Sequence, residues 1–155
     1  MQANTALSAK IRGNDFDIQT IIFCNKEHKK FYLDSLLKCR HQDVYHKALC
    51  YCLGIEVNTR MYINRIYDFE SGLIKTECIN EGWLTSGSIN IVRLAFNLYT
   101  DDMPTLYDLN NENEKNIESR KYTVSDLFCC EYARYFIEAV KIRYPEYTKV
   151  VGMIC

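Results

Sequence analysis

This chain has little that breaks or turns a backbone: two prolines, Pro104 and Pro145, and six glycines in 155 residues. A many-stranded sandwich needs a reversal about every 8–12 residues, so the scarcity of turn formers points to helices. Charge of one sign is also missing. Nineteen basic residues meet twenty acidic ones for a formal net charge of −1, which leaves no field to draw in nucleic acid or anionic lipid from a distance. No apolar run approaches the ~18 residues that span a bilayer, and Met1 to Asp17 lacks the apolar core of a signal peptide. The chain is therefore read as cytoplasmic, with no membrane partner.

What is present is aromatic and sulfur-rich, with twelve Tyr, seven Phe, one Trp and eight Cys. A chain of this length makes one ordinary domain and buries roughly two thirds of its unfolded surface. Cys50 and Cys52 would face different sides of a helix, and Cys129 and Cys130 are adjacent. Neither pair suits a disulfide, so the thiols read mostly as small core residues.

The pattern divides into a polar leader at 1–17, expected to be mobile, and a single helical domain over 18–155. Ile18 to Cys24 is β-branched and short, like a strand, and Val150 to Ile154 is the comparable segment that could pair with it from the other terminus. Asn25 is a good N-cap for a helix near 26–39. Asp43 caps a second at 44–53, closed by Gly54. Asn58 caps a third near 59–68, with Ile63, Ile66 and Tyr67 inward. Gly82 to Ser88 is a loop of glycine and hydroxyl residues leading into a helix near 87–100. That helix is apolar on nearly every side and must be surrounded by other elements. Asp101 to Lys121 is too polar to bury much surface and reads as a solvated loop. Thr123 with Asp126 forms a capping box for a last helix at 124–143, and Pro145 disfavours helix at Tyr144. The expected fold is mainly α, about five helices around the buried helix 87–100, with a short strand pair from the termini.

Several segments resemble one uncharacterised family of small bacterial proteins, found largely in Firmicutes and their mobile elements. They are Lys26 to Tyr32, Asp43 to Leu49 with Leu53-Gly54-Ile55, Thr59-Arg60, Asp68-Phe69, Gly82-Trp83, Arg93 to Leu98 and Ile142 to Tyr147. The likeness covers most of 25–147 and leaves out the leader and the Asn-rich loop. It implies an accessory protein of mobile DNA, of a kind that binds and inhibits a host defence protein.

The constellations that carry chemistry are sparse. Arg40-His41-Gln42-Asp43-Val44-Tyr45-His46 is similar to the signature of HEPN ribonucleases, in which the His acts as base toward a ribose hydroxyl and the Arg holds phosphate charge. The plainer reading of His46 is a half-buried helix histidine bonded to a neighbour. Gly82 to Ser88 has the look of a phosphate-cradling loop, with Arg93 as a charge more than a turn away. It lacks the expected Lys, and an ordinary capped helix start explains it. Cys24 with His28, Cys39 with His41, and His46 with Cys50 are zinc ligand types without paired Cys-x-x-Cys spacing, so no metal and no cofactor is expected. Arg134, Lys141, Arg143 and Lys149 around Tyr135, Tyr144 and Tyr147 could form a basic-aromatic patch that stacks bases or meets a protein.

Two readings of different class follow. One is a non-catalytic protein-binding protein, a possible homodimer, using Trp83, Arg93, Tyr135, Arg143, Tyr144 and Tyr147 as contacts. The alternative is a metal-independent ribonuclease using Arg40 and His46, which would make RNA the partner.

Overall fold

The computed structural model describes residues 18–103 and 119–149. Among the described residues there are eight α-helical segments. These are α1 (Lys26–Lys38), α2 (Val44–Leu53), α3 (Val57–Met61), α4 (Ile63–Ile66), α5 (Ser86–Thr100), α6 (Val124–Phe128), α7 (Ala133–Arg143) and α8 (Pro145–Thr148). A two-stranded antiparallel pair, β1 (Tyr67–Asp68) with β2 (Leu73–Ile74), follows α4. The domain is thus mainly helical with one short strand pair. That pair lies inside the chain and not at its ends. Ile18–Thr20, expected to begin a strand, is a 3-10 turn, and Val150 to Ile154 lies outside the described residues, as do the leader and the middle of the polar loop.

The caps follow the side chains. Asn25 accepts from the His28 N–H at 2.7 Å, and Asp43 from the His46 N–H at 2.9 Å. Thr85 and Ser88 cap α5 reciprocally, so the hydroxyl-rich loop before it serves as a helix start. The third helix is capped by Glu56 and not by Asn58: the Asn58 N–H donates to the Glu56 carboxylate at 2.9 Å. It also breaks at Tyr62 into α3 and α4 and ends as strand at Tyr67.

The expected last helix is interrupted at Cys129 to Tyr132. In an unbroken helix Phe128 and Phe136 would stand ~12 Å apart along the axis. The break brings their ring centroids to 5.7 Å, edge to face. Pro145 then opens α8, with Tyr144 outside helical geometry.

The core has two posts where one was expected. Helix α5 is enclosed as its pattern predicts: residues 91–96 are all buried, and none from 87 to 99 is exposed. Helix α2 is enclosed more completely, since every residue from His46 to Ile55 is buried. It packs against α1, α5 and α7, and its run Ala48-Leu49-Cys50-Tyr51-Cys52-Leu53 is as apolar all round as α5. Gly54, just after α2, has φ −79°, so the left-handed turn common after helices is not its reason. A Cβ there would stand 2.6 Å from Cδ2 of His28. The glycine lets α1 approach.

That approach buries His28 completely. A carbonyl can only accept, so His28 donates through Nε2–H to the Tyr51 carbonyl at 2.8 Å, and Nδ1 accepts the Cys24 N–H at 3.2 Å. Burial pushes the imidazole pKa down to about 4, opposed by the bond to Tyr51 and aided by the Arg60 charge. The unfolded chain therefore binds the extra proton first. This contribution to stability is whole above about pH 6.5 and is lost as pH falls toward 4, an effect of about 3 kcal/mol. Urea unfolding at pH 7 and pH 4.5 should show that loss, and His28→Gln should flatten it.

Candidate functional site

One end of the bundle brings together three of the residues singled out from sequence, His46, Arg143 and Tyr144. The first turn of α2, the last turn of α5 and the last turn of α7 meet there. Asp43 accepts a hydrogen bond from Nδ1–H of His46 at 2.7 Å as well as from the His46 backbone. Burial opposes the charged form of Asp43, but the two N–H groups and the imidazole's charge hold its carboxyl below the usual range. Nε2 of His46 faces the Tyr99 hydroxyl at 3.4 Å, and that hydroxyl donates to the Gly72 carbonyl at 2.8 Å. Tyr67 stands 3.4 Å further along, and burial raises both phenols. The result is a chain of polar groups, Asp43–His46–Tyr99–Tyr67, running inward from the surface.

Arg143 lies beside this chain and is itself buried. Its Nε–H donates to the Leu98 carbonyl at 2.9 Å. One terminal nitrogen donates to both carboxylate oxygens of Asp101, at 2.8 and 2.7 Å. The guanidinium carbon stands 3.7 Å from the ring centroid of Tyr45 and 4.6 Å from that of Tyr144. Asp101 is the left-handed C-cap of α5, with φ 56°. Arg143 therefore satisfies a carbonyl that the helix end leaves open and the charge of the capping residue.

A second cluster surrounds the lone tryptophan. Trp83 is half-buried and stacks on Tyr62, ring centroids 4.6 Å apart at 29°. Its indole N–H donates to Glu81, whose carboxylate also pairs with Arg65. Met61, next to Tyr62 in the chain, is 68 % exposed.

The residues expected to form one contact surface are thus dispersed. Arg143 is buried and Arg93 lies within buried helix α5. Tyr135 is half-buried under Arg134, whose guanidinium carbon is 5.2 Å from its ring centroid. Lys141 is tied to buried Glu138. Tyr147, 86 % exposed, and half-buried Tyr144 remain near the surface. Arg40 is exposed in the loop before α2, whereas His46 is buried with its nitrogens on Asp43 and Tyr99. Cys50 lies against Cys39 at 3.6 Å, and Cys24 against Nδ1 of His28 at 3.1 Å. Among the described residues no three His, Cys, Asp or Glu side chains are grouped to hold a metal ion.

The chain belongs to the DUF6075 family. It is a family of unknown function, and the match covers residues 18–153. The matched span starts where the polar leader ends and includes the Asn-rich stretch that the segment-by-segment likeness left out. No curated protein and no solved structure matches the chain. Among the described residues no helix is long and apolar enough to cross a membrane.

Tyr45, Tyr99 and Asp101 at the bundle end, and Tyr62, Arg65 and Glu81 around Trp83, were not singled out from sequence. Only Asp101 carried a local signal, as a residue type that tolerates the left-handed conformation after a helix. Removing Arg143 tests how much the bundle end depends on it. Arg143→Ala should lower unfolding free energy by about 2–3 kcal/mol, because it strands the Leu98 carbonyl and the Asp101 charge. Arg143→Lys should recover less than half, since one ammonium lacks the fork that reaches both acceptors. Denaturant titration at neutral pH reads both.

Proposed function

We propose that this protein is a non-catalytic binding protein whose partner is another protein, engaged through the face formed by Trp83 and Tyr62. One observation carries the reading: the only tryptophan is left half-buried at the edge of the core and yet has its polar atom satisfied from within. With the indole N–H on Glu81, a partner can cover the ring without burying an unpaired donor. Glu81 is in turn neutralised by Arg65 at 2.5 Å. Trp, Tyr, Arg and Met together are the residue types enriched where proteins meet. His46, the residue that hydrolysis of RNA would need as a base, points its nitrogens into the protein. The finer setting, an accessory protein of mobile DNA that inhibits a host defence protein, belongs to the same proposal and rests on the family resemblance.

The test begins with capture of the partner from the native host, followed by titration of the purified pair. Trp83→Ala should weaken binding by about 30-fold or more, the loss of a hot-spot side chain. Its cost in stability should be only about 1–2 kcal/mol, because the ring is half-buried. Unchanged affinity in both Trp83→Ala and Tyr62→Ala would remove this face from consideration. RNA cleavage by the wild type that disappears in folded His46→Ala would replace the binding reading with the nuclease one.

A further inference from the structure

Two thiols meet where α1 hands over to α2. The Sγ atoms of Cys39 and Cys50 are 3.6 Å apart, joining residues eleven positions apart in the chain. We propose that Cys39 and Cys50 form a reversible disulfide in response to hydroperoxides, with Cys39 as the attacking sulfur and Cys50 as the resolving sulfur.

The division of labour follows from position. Cys39 is half-buried and is the C-cap of α1, with extended backbone at φ −69°, ψ 144°, and it is followed by the exposed residues Arg40 and His41. It is the sulfur a small oxidant can reach. Cys50 is buried in the middle of α2, behind it. Either sulfur can donate across this contact; the contact lowers the Cys39 thiol and raises that of Cys50, where burial acts in the same sense. Reactivity follows the thiolate, so the accessible sulfur is also the activated one. The other buried thiols differ. Burial pushes Cys52 and Cys78 up, and Cys24 is turned to His28. A disulfide needs the sulfurs at about 2.05 Å, and the required approach falls on Cys39, which lies outside regular helix and leads into a loop.

The chemistry balances with the peroxide as sole oxidant. The Cys39 thiolate attacks the terminal peroxide oxygen, an S–O bond forms, the O–O bond breaks, and the departing oxygen leaves as an alcohol or water after protonation. The Cys50 sulfur then attacks Cys39. The S–S bond forms, the S–O bond breaks, and the hydroxide takes the Cys50 proton and leaves as water. Two thiols have lost two electrons and the peroxide has gained them. A dithiol reductant reverses the bond. The new link would tie the end of α1 to the middle of α2, beside the Asp43–His46–Tyr99 chain.

The experiment uses the full reduced chain with one equivalent of hydrogen peroxide, followed by thiol blocking, digestion and mass spectrometry. The expected product has lost two hydrogen atoms, joins the Cys39 and Cys50 peptides as the main cross-link, and reverts under dithiothreitol. In Cys50→Ala, with folding checked by circular dichroism, Cys39 should gain one oxygen and be trapped by dimedone. Peroxide that leaves Cys39 untouched in the folded wild type while exposed Cys129 reacts would overturn the proposal. So would a main cross-link that joins any other pair, or Cys39 oxidised beyond one oxygen with Cys50 still free.

Discussion

Helix α2 has no face it can show to water. From Ala48 to Leu53 each residue is apolar or aromatic and each is buried, so the helix is stable only while other elements cover it on every side. Helices α1, α5 and α7 provide that cover, and the segment from Ile21 to Cys24 completes it, with the Tyr51 hydroxyl donating to the Ile22 carbonyl. Helix α5 shares the condition, and the two enclosed helices pack on each other. Around this pair stand α1 and α7, and short elements connect them. That explains why the third and fifth expected helices are broken: a straight rod cannot follow the flank of another rod and also return its aromatic residues to the core.

Such an interior makes every polar atom expensive unless it is paired. The structure meets that condition at specific places. His28 stays neutral and bridges Tyr51 and Cys24, and Arg143 is shared between the end of α5 and its capping aspartate. Asp43 caps α2 and holds His46 with the same carboxylate oxygen. His28, His46 and Arg143 thus turn inward and join elements, whereas Arg40, read with His46 as a catalytic pair, stays exposed. Among the apolar side chains that face outward are Met61 and Tyr147, beside aliphatic residues such as Leu73 and Val124, and half-buried Trp83 lies stacked on Tyr62.

Legibility in the sequence tracked how local each interaction is. The caps at Asn25, Asp43 and Thr123, and the hydroxyl-rich loop that caps α5, were readable because each is settled within three or four residues, although the nearby Glu56 takes the place expected of Asn58. The enclosure of α5 was readable because an all-round apolar pattern has one physical outcome in water. The same reasoning applied to Ala48 to Leu53, where the flanking His46 and Lys47 and the pair of cysteines masked an equally apolar run. Trp83 could not be assigned from sequence: Tyr62, on which it stacks, and Arg65, which pairs with the Glu81 that accepts its indole N–H, precede it by about twenty residues. Arg143, read as a surface contact, is drawn in by Leu98 and Asp101, more than forty positions earlier.

By itself the sequence determined the class of fold, the positions and caps of α1, α2 and α5, and the need for at least one enclosed helix. Those follow from backbone hydrogen bonding and from the period at which apolar side chains recur, both properties of a short window. Which charged residues are consumed inside, which aromatic ring stays half-buried at the edge of the core, and which two thiols meet were decided only when the helices packed. These depend on distances between residues far apart in the chain, and only tertiary structure sets such distances.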